Sequence, residues 1–217
     1  MNVTKVITFA SSKGGVGKST LCINLAAYFS KAGASISVID TDKQKSSYDW
    51  IGETSDKYLS KVQAVYLDDE NKIEQYIASC EYDLVFLDLG GSVENSLAFG
   101  LAIADLIVVP CRPSRDDLIG LGWIVKLARD AADNFEDVNA HVFAVLNGIN
   151  RNSLVYLHAR QQIEEEGISL LGTSLSQTVA FAEANINRNS VLGTNSKASD
   201  LICNIGKELA RELGLFA

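Results

Sequence analysis

The sequence predicts an α/β protein in which a mainly parallel central sheet is flanked by helices on both faces. Short apolar runs rich in β-branched residues alternate with longer amphipathic stretches, which is the pattern of βα units. The apolar runs are continuous, as in strands that are buried on both faces. The chain has 217 residues, 47% of them hydrophobic, and this is enough for a single domain over residues 1–217.

The elements follow from the periodicity of apolar residues. The predicted strands are residues 6–10, 36–39, 62–66, 84–87, 106–109 and 141–146, which are short and apolar. The predicted helices carry apolar residues at helical spacing, and they cover residues 19–32, 71–79, 116–132, 153–166 and 199–213.

Composition narrows the class of protein. No run of eighteen apolar residues occurs, and a glycine loop follows the first strand too soon to leave room for a signal peptide, so we expect a cytoplasmic protein. A net charge of −8 argues against a generally positive surface but allows a local basic patch. The cysteines are widely spaced and form no CxxC pair, which predicts neither disulfides nor a zinc site; they are Cys22, Cys80, Cys111 and Cys203.

A glycine- and lysine-rich segment joins the first strand to the first helix. At such a junction, backbone N–H groups of the loop and of the helix N-terminus point together at a phosphate chain. Glycine permits the close approach of backbone to phosphate. We expect Lys18 to reach the β- and γ-phosphates and the Ser19 hydroxyl to bind Mg²⁺. The segment reads Lys13-Gly14-Gly15-Val16-Gly17-Lys18-Ser19-Thr20.

Carboxylates end two later strands. Asp40 and Asp42 follow the second strand, and Asp88 ends the fourth, just before Gly90 and Gly91. Carboxyl ends of parallel strands form the rim where α/β sheets bind ligands. A carboxylate there can hold a Mg²⁺-bound water, although aspartates at a strand end are also ordinary turn residues.

The segment from Lys13 to Thr20 resembles the KGGxGK[ST][ST] loop of the ParA/MinD-type deviant Walker A ATPases. The resemblance implies a P-loop NTPase fold, with ATP and Mg²⁺ as cofactors. The resemblance implies that Lys13 reaches the partner's nucleotide across a dimer. It also implies that Asp42 positions the attacking water. The resemblance also makes residues 84–88 a Walker B strand, with Asp88 and Ser19 holding Mg²⁺. Lys43 stands where the family's DxDPQ motif has proline.

Weaker similarity continues along the chain. Residues 104–114 resemble the family's segment around a fifth strand, and residues 176–183 and 190–198 resemble the ParA-type C-terminal region more than that of MinD. Asn147 lies where relatives hydrogen-bond the purine, but Asn-Gly is also an ordinary turn pair. In several ParA-like proteins an arginine stands near position 178, and this chain has none there.

The resemblance is closest to small ParA-type partition ATPases without an N-terminal helix-turn-helix. It implies an ATP-dependent homodimer that binds DNA non-specifically, associates with the nucleoid when ATP-bound, and moves a plasmid, chromosome or protein assembly. It also implies a ParB-like adaptor or centromere-binding protein that stimulates hydrolysis. Candidate DNA contacts, which are equally plausible as solvated helix residues, are Arg151, Arg160, Arg188, Lys197, Lys207 and Arg211.

Three alternatives share the loop. A MinD-like ATPase would act at a membrane or on a protein cargo, but near the C-terminus Arg211 stands against Glu208 and Glu212, so membrane binding is not expected. Nitrogenase reductase-like proteins bridge their dimer with an iron–sulfur cluster, and Cys80 and Cys111 are not placed like its ligands. Biosynthetic ligases with a related loop are the third alternative, although nothing in the sequence marks a pocket for their substrates.

Overall fold

A parallel sheet forms the centre of the molecule. The computed structural model describes residues 4–90, 94–134, 141–150 and 152–215. All strand pairs in this part of the chain are parallel, in the order β3-β2-β4-β1-β5-β6-β7, with β8 also pairing β6. The strands are β1 (Lys5–Phe9), β2 (Ile36–Asp40), β3 (Gln63–Tyr66), β4 (Leu84–Asp88), β5 (Leu106–Cys111), β6 (His141–Ile149), β7 (Ser169–Leu170) and β8 (Leu175–Ser176).

Helices connect the strands. They are α1 (Lys18–Lys31), α2 (Ser46–Gly52), α3 (Glu70–Ser79), α4 (Glu94–Ala102), α5 (Arg115–Asn134), α6 (Leu154–Glu165), α7 (Val179–Ile186) and α8 (Lys197–Glu212), with a short 3₁₀ turn at Leu59–Lys61. The six predicted strands and five predicted helices are confirmed, with ends shifted by at most three residues. Helices α2, α4 and α7 and strands β7 and β8 were not predicted, because they are too short or too uniformly apolar to show a period.

The sheet is covered on both faces, which confirms the predicted fold class. Neighbouring residues of a strand point to opposite faces, and Ile7 accordingly packs into one buried cluster and Val6 into the other. The first cluster includes apolar residues of α1 and α8, such as Leu25 and Ile205. The second includes residues of α4, α5 and α6, among them Leu121.

The strand register brings the three loops of the predicted site together. Asp88, at the end of β4, is level with Phe9 of β1 on one side and with Asp40 of β2 on the other. The loop after β1 and the carboxylates that end β2 and β4 therefore meet at one edge of the sheet, where open α/β sheets bind their ligands.

No helix in the described ranges is long and apolar enough to cross a membrane. All four cysteines are free thiols, with Cys22 and Cys111 buried and Cys80 and Cys203 partly buried.

Candidate functional site

The loop after β1 presents an uncapped helix N-terminus. Helix α1 begins directly after Gly17, which has a φ of 96° and provides no side-chain cap, and the first turn of α1 carries no acidic residue. The first N–H groups of a helix have no acceptor within the helix, and the helix dipole places partial positive charge there. This end of α1 is therefore suited to an anion.

The uncapped end faces a cavity of about 440 Å³. The walls of the cavity are formed by residues of the loop, by residues of α2 and α7, and by residues next to these two helices in the chain. Val16 is the exception among the predicted loop residues, since it is buried under the loop with 4% exposure. The cavity is lined by Ser11, Lys13, Gly14, Gly15, Gly17, Lys18, Ser19, Thr20, Asp42, Gln44, Ser46, Asp49, Trp50, Asn185 and Arg188.

Lys18 is paired with Asp88 beside the loop. Its Nζ lies 2.7 Å from Asp88 Oδ1, and the two side chains are 11% and 1% exposed. Burial alone would lower the pKa of Lys18, but the charge and hydrogen bond of Asp88 outweigh it and raise this pKa above its ordinary value. The other Asp88 oxygen accepts a hydrogen bond from the Ser47 hydroxyl. Lys18 is thus a cation held next to the loop by a buried carboxylate.

Asp40 shapes the segment that carries Asp42. Its carboxylate accepts backbone N–H bonds from Asp42 at 2.9 Å, Ser47 at 2.8 Å and Tyr48 at 3.1 Å. Burial and the nearby Asp88 charge nevertheless raise the pKa of Asp40. Because Asp40 is fully buried, it acts on the backbone of the segment, while Asp42 reaches the cavity.

The segments after β2 and β4 are in direct contact. Gly90 donates its N–H to the Thr41 hydroxyl at 2.8 Å, and a Cβ at Gly90 would lie 3.2 Å from the Asp42 backbone. Glycine at position 90 therefore permits the close approach of the two segments. Gly91, the second predicted glycine, lies outside the described residues.

Lys13 pairs with helix α5 of its own chain. Its Nζ lies 3.3 Å from an Asp116 oxygen and 3.6 Å from an Asp117 oxygen, and its side chain is 43% exposed. The Asp116 side chain is 76% exposed, so its pair with Lys13 contributes little to stability, whereas Asp117 is 9% exposed but lies farther away. Lys13 can therefore leave Asp116 at low cost in free energy, and the longer contact with Asp117 is the main interaction that it gives up.

A second cavity of about 570 Å³ adjoins the first, sharing Gly17 and Thr20 with it. Asn147 lines it, and its amide is bonded within the protein: Nδ2 donates to the Val16 carbonyl at 2.6 Å, and Oδ1 accepts from the Gly148 N–H at 2.7 Å. The proposed purine contact of Asn147 therefore stays a prediction. The other lining residues are Leu21, Arg112, Gly148, Leu175, Ser176, Gln177, Thr178, Phe181 and Ala182.

The structure spreads the candidate DNA contacts over three regions. Arg160, on α6, lies 2.9 Å from Glu164, whereas Arg188 lines the cavity beside the loop and lies 3.2 Å from Glu53. Three other candidates are exposed on α8: Lys197, Lys207 and Arg211. Arg151 lies outside the described residues.

Three residues that sequence reasoning missed take part in the site. Arg112 donates a hydrogen bond to the Gly15 carbonyl, and the Ser47 hydroxyl donates to Asp88. Trp50 lines the cavity, and its buried indole N–H has no partner in the part of the chain that the structure describes. Arg112 lies in the segment 104–114 that resembles the family, but an arginine at this position does not by itself predict a contact with Gly15. Ser47 and Trp50 lie on the short helix α2, which has no sequence signature.

A strand-to-helix loop, an uncapped helix end and a buried lysine–aspartate pair define a phosphate-binding protein of the P-loop class. The family model described as "CobQ/CobB/MinD/ParA nucleotide binding domain" matches residues 7–191. The chain belongs to this family.

Similar proteins agree with this assignment. The Maintenance of carboxysome distribution protein A of Halothiobacillus neapolitanus is 26% identical over 185 residues, 84% of each chain. Protein ParA of Rhizobium radiobacter is 26% identical over 183 residues, which are 82% of this chain and 80% of the relative.

Two solved structures share the fold. An ATP complex of a Cyanothece McdA variant superposes with a TM-score of 0.79 at 14% identity and covers 100% of this chain and 99% of its own. The MinD–Mg-ADP complex from Pyrococcus horikoshii OT3 has a TM-score of 0.75 at 14% identity and covers 97% of this chain and 98% of its own.

Proposed function

We propose that this chain is a ParA-type ATPase that binds Mg²⁺ and ATP, dimerises on ATP, and hydrolyses it to position a cargo. The observation that carries the proposal is one cavity at the uncapped end of α1 that Lys13, Lys18, Ser19 and Asp42 all line. Lys18, the Ser19 hydroxyl and the helix N-terminus are suited to the phosphates of a nucleotide and their metal ion, Asp42 to the attacking water, and Lys13 lies at the rim from which it could reach a second subunit.

The residues present fit a Mg²⁺–nucleotide. Trp50 lines the cavity, and its buried indole N–H has no acceptor in the described residues, which is the kind of orphaned donor found beside binding sites. The Ser19 hydroxyl and the Asp88 carboxylate are hard oxygen donors that would hold a divalent cation, Asp88 through the oxygen that Lys18 contacts in this structure. When bound, Mg²⁺ would neutralise charge on the phosphate oxygens.

The chain's own groups then have separate roles. Lys18 and the N–H groups of α1 bind the phosphates, while Asp42 orients the water that attacks in line. Lys13 leaves Asp116 and Asp117 and reaches the nucleotide of the second subunit, as an arginine finger supplied in trans would. This assignment makes each active site depend on a dimer.

The proposal for the cargo and partners is supported by the similarity to ParA-type proteins. We infer that the ATP-bound dimer binds DNA non-specifically in the cytoplasm, on the nucleoid, and that a ParB-like adaptor stimulates hydrolysis. The name of the Halothiobacillus relative, which refers to carboxysome distribution, supports a protein assembly as cargo beside a plasmid or chromosome. On α8, Lys207 and Arg211 lie one helical turn apart and are the best placed pair for phosphate contacts.

The test combines hydrolysis with DNA binding. Purified protein is mixed with Mg²⁺ and ATP, and phosphate release is followed with and without an unrelated DNA duplex. We expect ATP hydrolysis, and DNA retardation with ATP but not ADP that weakens steeply as salt rises. Absence of hydrolysis would refute the ATPase proposal. Binding to anionic vesicles instead of DNA would favour the MinD-like alternative.

A further inference from the structure

Helix α7 ends on an arginine in a conformation that usually belongs to glycine. Arg188 has a φ of 53°. Its N–H bonds the Asn185 carbonyl at 3.3 Å, and the N–H of Asn189 bonds the Ala184 carbonyl at 3.0 Å. These two bonds are those of a Schellman motif, whose left-handed residue is most often glycine because a Cβ is strained there.

The same chain ends three other helices in this way, and each time with glycine. Helices α1, α6 and α8 are followed by Gly33, Gly167 and Gly214, with φ of 102°, 67° and 66°. Each shows the same pair of backbone bonds as α7. At α7 a glycine would relieve the strain, which raises the question of what the arginine side chain does there.

The Arg188 side chain extends along the wall of the phosphate cavity. It lines this cavity together with Lys13 and Lys18. Its Nε lies 3.2 Å from a Glu53 oxygen, and its guanidinium carbon lies 5.9 Å from the centroid of the buried Trp50 ring. The Glu53 side chain is 62% exposed, so this pair is weak and easily broken.

The backbone after Arg188 is tied to neighbouring segments. Asn189 Oδ1 accepts a hydrogen bond from the Ser55 N–H at 3.3 Å, and Asp56 Oδ2 accepts from the Ser190 N–H at 3.1 Å and hydroxyl at 2.6 Å. The Val191 N–H donates to Asn24 of α1 at 2.8 Å. Arg188 therefore extends from a well-anchored point at the rim of the cavity.

We propose that Arg188 is a further catalytic residue, whose guanidinium exchanges the Glu53 carboxylate for phosphate oxygens of the nucleotide in the same subunit. Carboxylate and phosphate oxygens present similar acceptors to a guanidinium. Glu53 then holds the arginine until nucleotide arrives. The inference rests on the proposed ATPase function, and it assigns to phosphate an arginine that the sequence had suggested for DNA.

Replacing Arg188 with glycine separates the effect of its backbone conformation on stability from the effect of its side chain on catalysis. Because Arg188→Gly relieves the strained φ, its melting temperature should equal or exceed that of the wild type. Its ATP turnover should fall at least about tenfold, as loss of a cation that stabilises the transition state predicts. Arg129→Ala is the control, since Arg129 is an exposed arginine of α5 that does not line the cavity, and it should turn over ATP normally.

A second variant tests the exchange itself. Glu53→Gln removes the carboxylate that competes for Arg188, so affinity for ATP should rise, by about twofold or more for an exposed pair. Lower or unchanged affinity would contradict the exchange. Wild-type turnover in Arg188→Gly would overturn the proposal, and so would a loss of DNA binding with turnover intact. If the wild type itself does not hydrolyse ATP, the proposed function fails. The ATP affinities of Arg188→Gly and Glu53→Gln still test whether Arg188 contacts the phosphates.

Discussion

Lys18 and Asp88 form a buried ion pair directly beneath the phosphate-binding loop, with Nζ 2.7 Å from Oδ1. Their elements, α1 and β4, are far apart in sequence but meet at the carboxyl edge of the sheet. Phosphate oxygens would compete with the carboxylate for Lys18, and an Asp88 oxygen released in this way could bind a metal ion. We therefore expect the pair to couple phosphate and Mg²⁺ binding.

The first prediction concerns this pair. Lys18→Met leaves a buried carboxylate without its cation and should destabilise the protein by about 3 kcal/mol, measured by urea unfolding without nucleotide. Lys5→Met is the matched control, because the Lys5–Asp105 pair has the same 2.7 Å distance but side chains 39% and 32% exposed. Its cost should be below about 1 kcal/mol. An equal loss of unfolding free energy in Lys18→Met and Lys5→Met would contradict the idea that burial makes the Lys18–Asp88 pair more important for stability.

The second prediction concerns Lys13. Lys13 and Asp116 are exposed, and the less exposed Asp117 lies at a longer 3.6 Å, so Lys13→Ala should change the free energy of unfolding by about 1 kcal/mol or less. It should abolish hydrolysis even though the loop keeps Lys18, because the trans cation is lost. Urea unfolding and phosphate release measure the two effects. Normal hydrolysis would show that Lys13 plays no catalytic part.

The third prediction compares two glycines of the loop. At Gly17, with a φ of 96°, a Cβ would collide with the Asn147 amide, whereas at Gly14 it would meet no atom within 4 Å. Gly17→Ala should therefore cost more than about 1 kcal/mol of stability, and Gly14→Ala less than about 0.5 kcal/mol. Thermal unfolding of the two nucleotide-free variants decides this. Similar melting temperatures would mean that the loop rearranges freely around Gly17.

The fourth prediction concerns thiol reactivity. Burial raises the pKa of Cys111 to about 12 and that of Cys22 well above its ordinary value. At pH 8 both thiols are therefore protonated as well as shielded, and a thiol reagent should modify only Cys80 and Cys203 in the folded protein. Denatured protein, as control, should show four reactive thiols. Rapid modification of Cys22 in the native state would contradict the packing of α1 against the sheet.

Much of the fold could be predicted because its central strands β1, β2, β4 and β5 are continuous apolar runs that are buried on both faces. Periodicity failed for α2, a seven-residue helix, and for α7, whose residues are apolar nearly all round. The loop was predictable because phosphate binding requires glycine, lysine and serine at set spacing. Asp42 was found through its family motif, and the cavity places it beside the loop, as predicted.

Other parts of the site depend on tertiary contacts that sequence does not show. Arg188 was assigned to DNA from its charge alone, but the turn that ends α7 directs it to the phosphate cavity. Asn147 borders the second cavity, and its amide bonds the Val16 carbonyl and the Gly148 N–H, so its contact with the purine stays a prediction. The sequence alone shows the type of each of these residues but not the direction of its side chain.

The central claim, that ATP controls association through a composite site, is tested most directly by light scattering of the Asp42→Ala variant with Mg²⁺ and ATP. This variant should bind ATP without consuming it, and Asp49→Ala, which removes another carboxylate of the same cavity, is the control that should still hydrolyse ATP. The account predicts a mass of twice the 23.4 kDa chain with ATP, and a single chain with ADP or when Lys13→Ala is added. A single chain of Asp42→Ala under saturating ATP would contradict it.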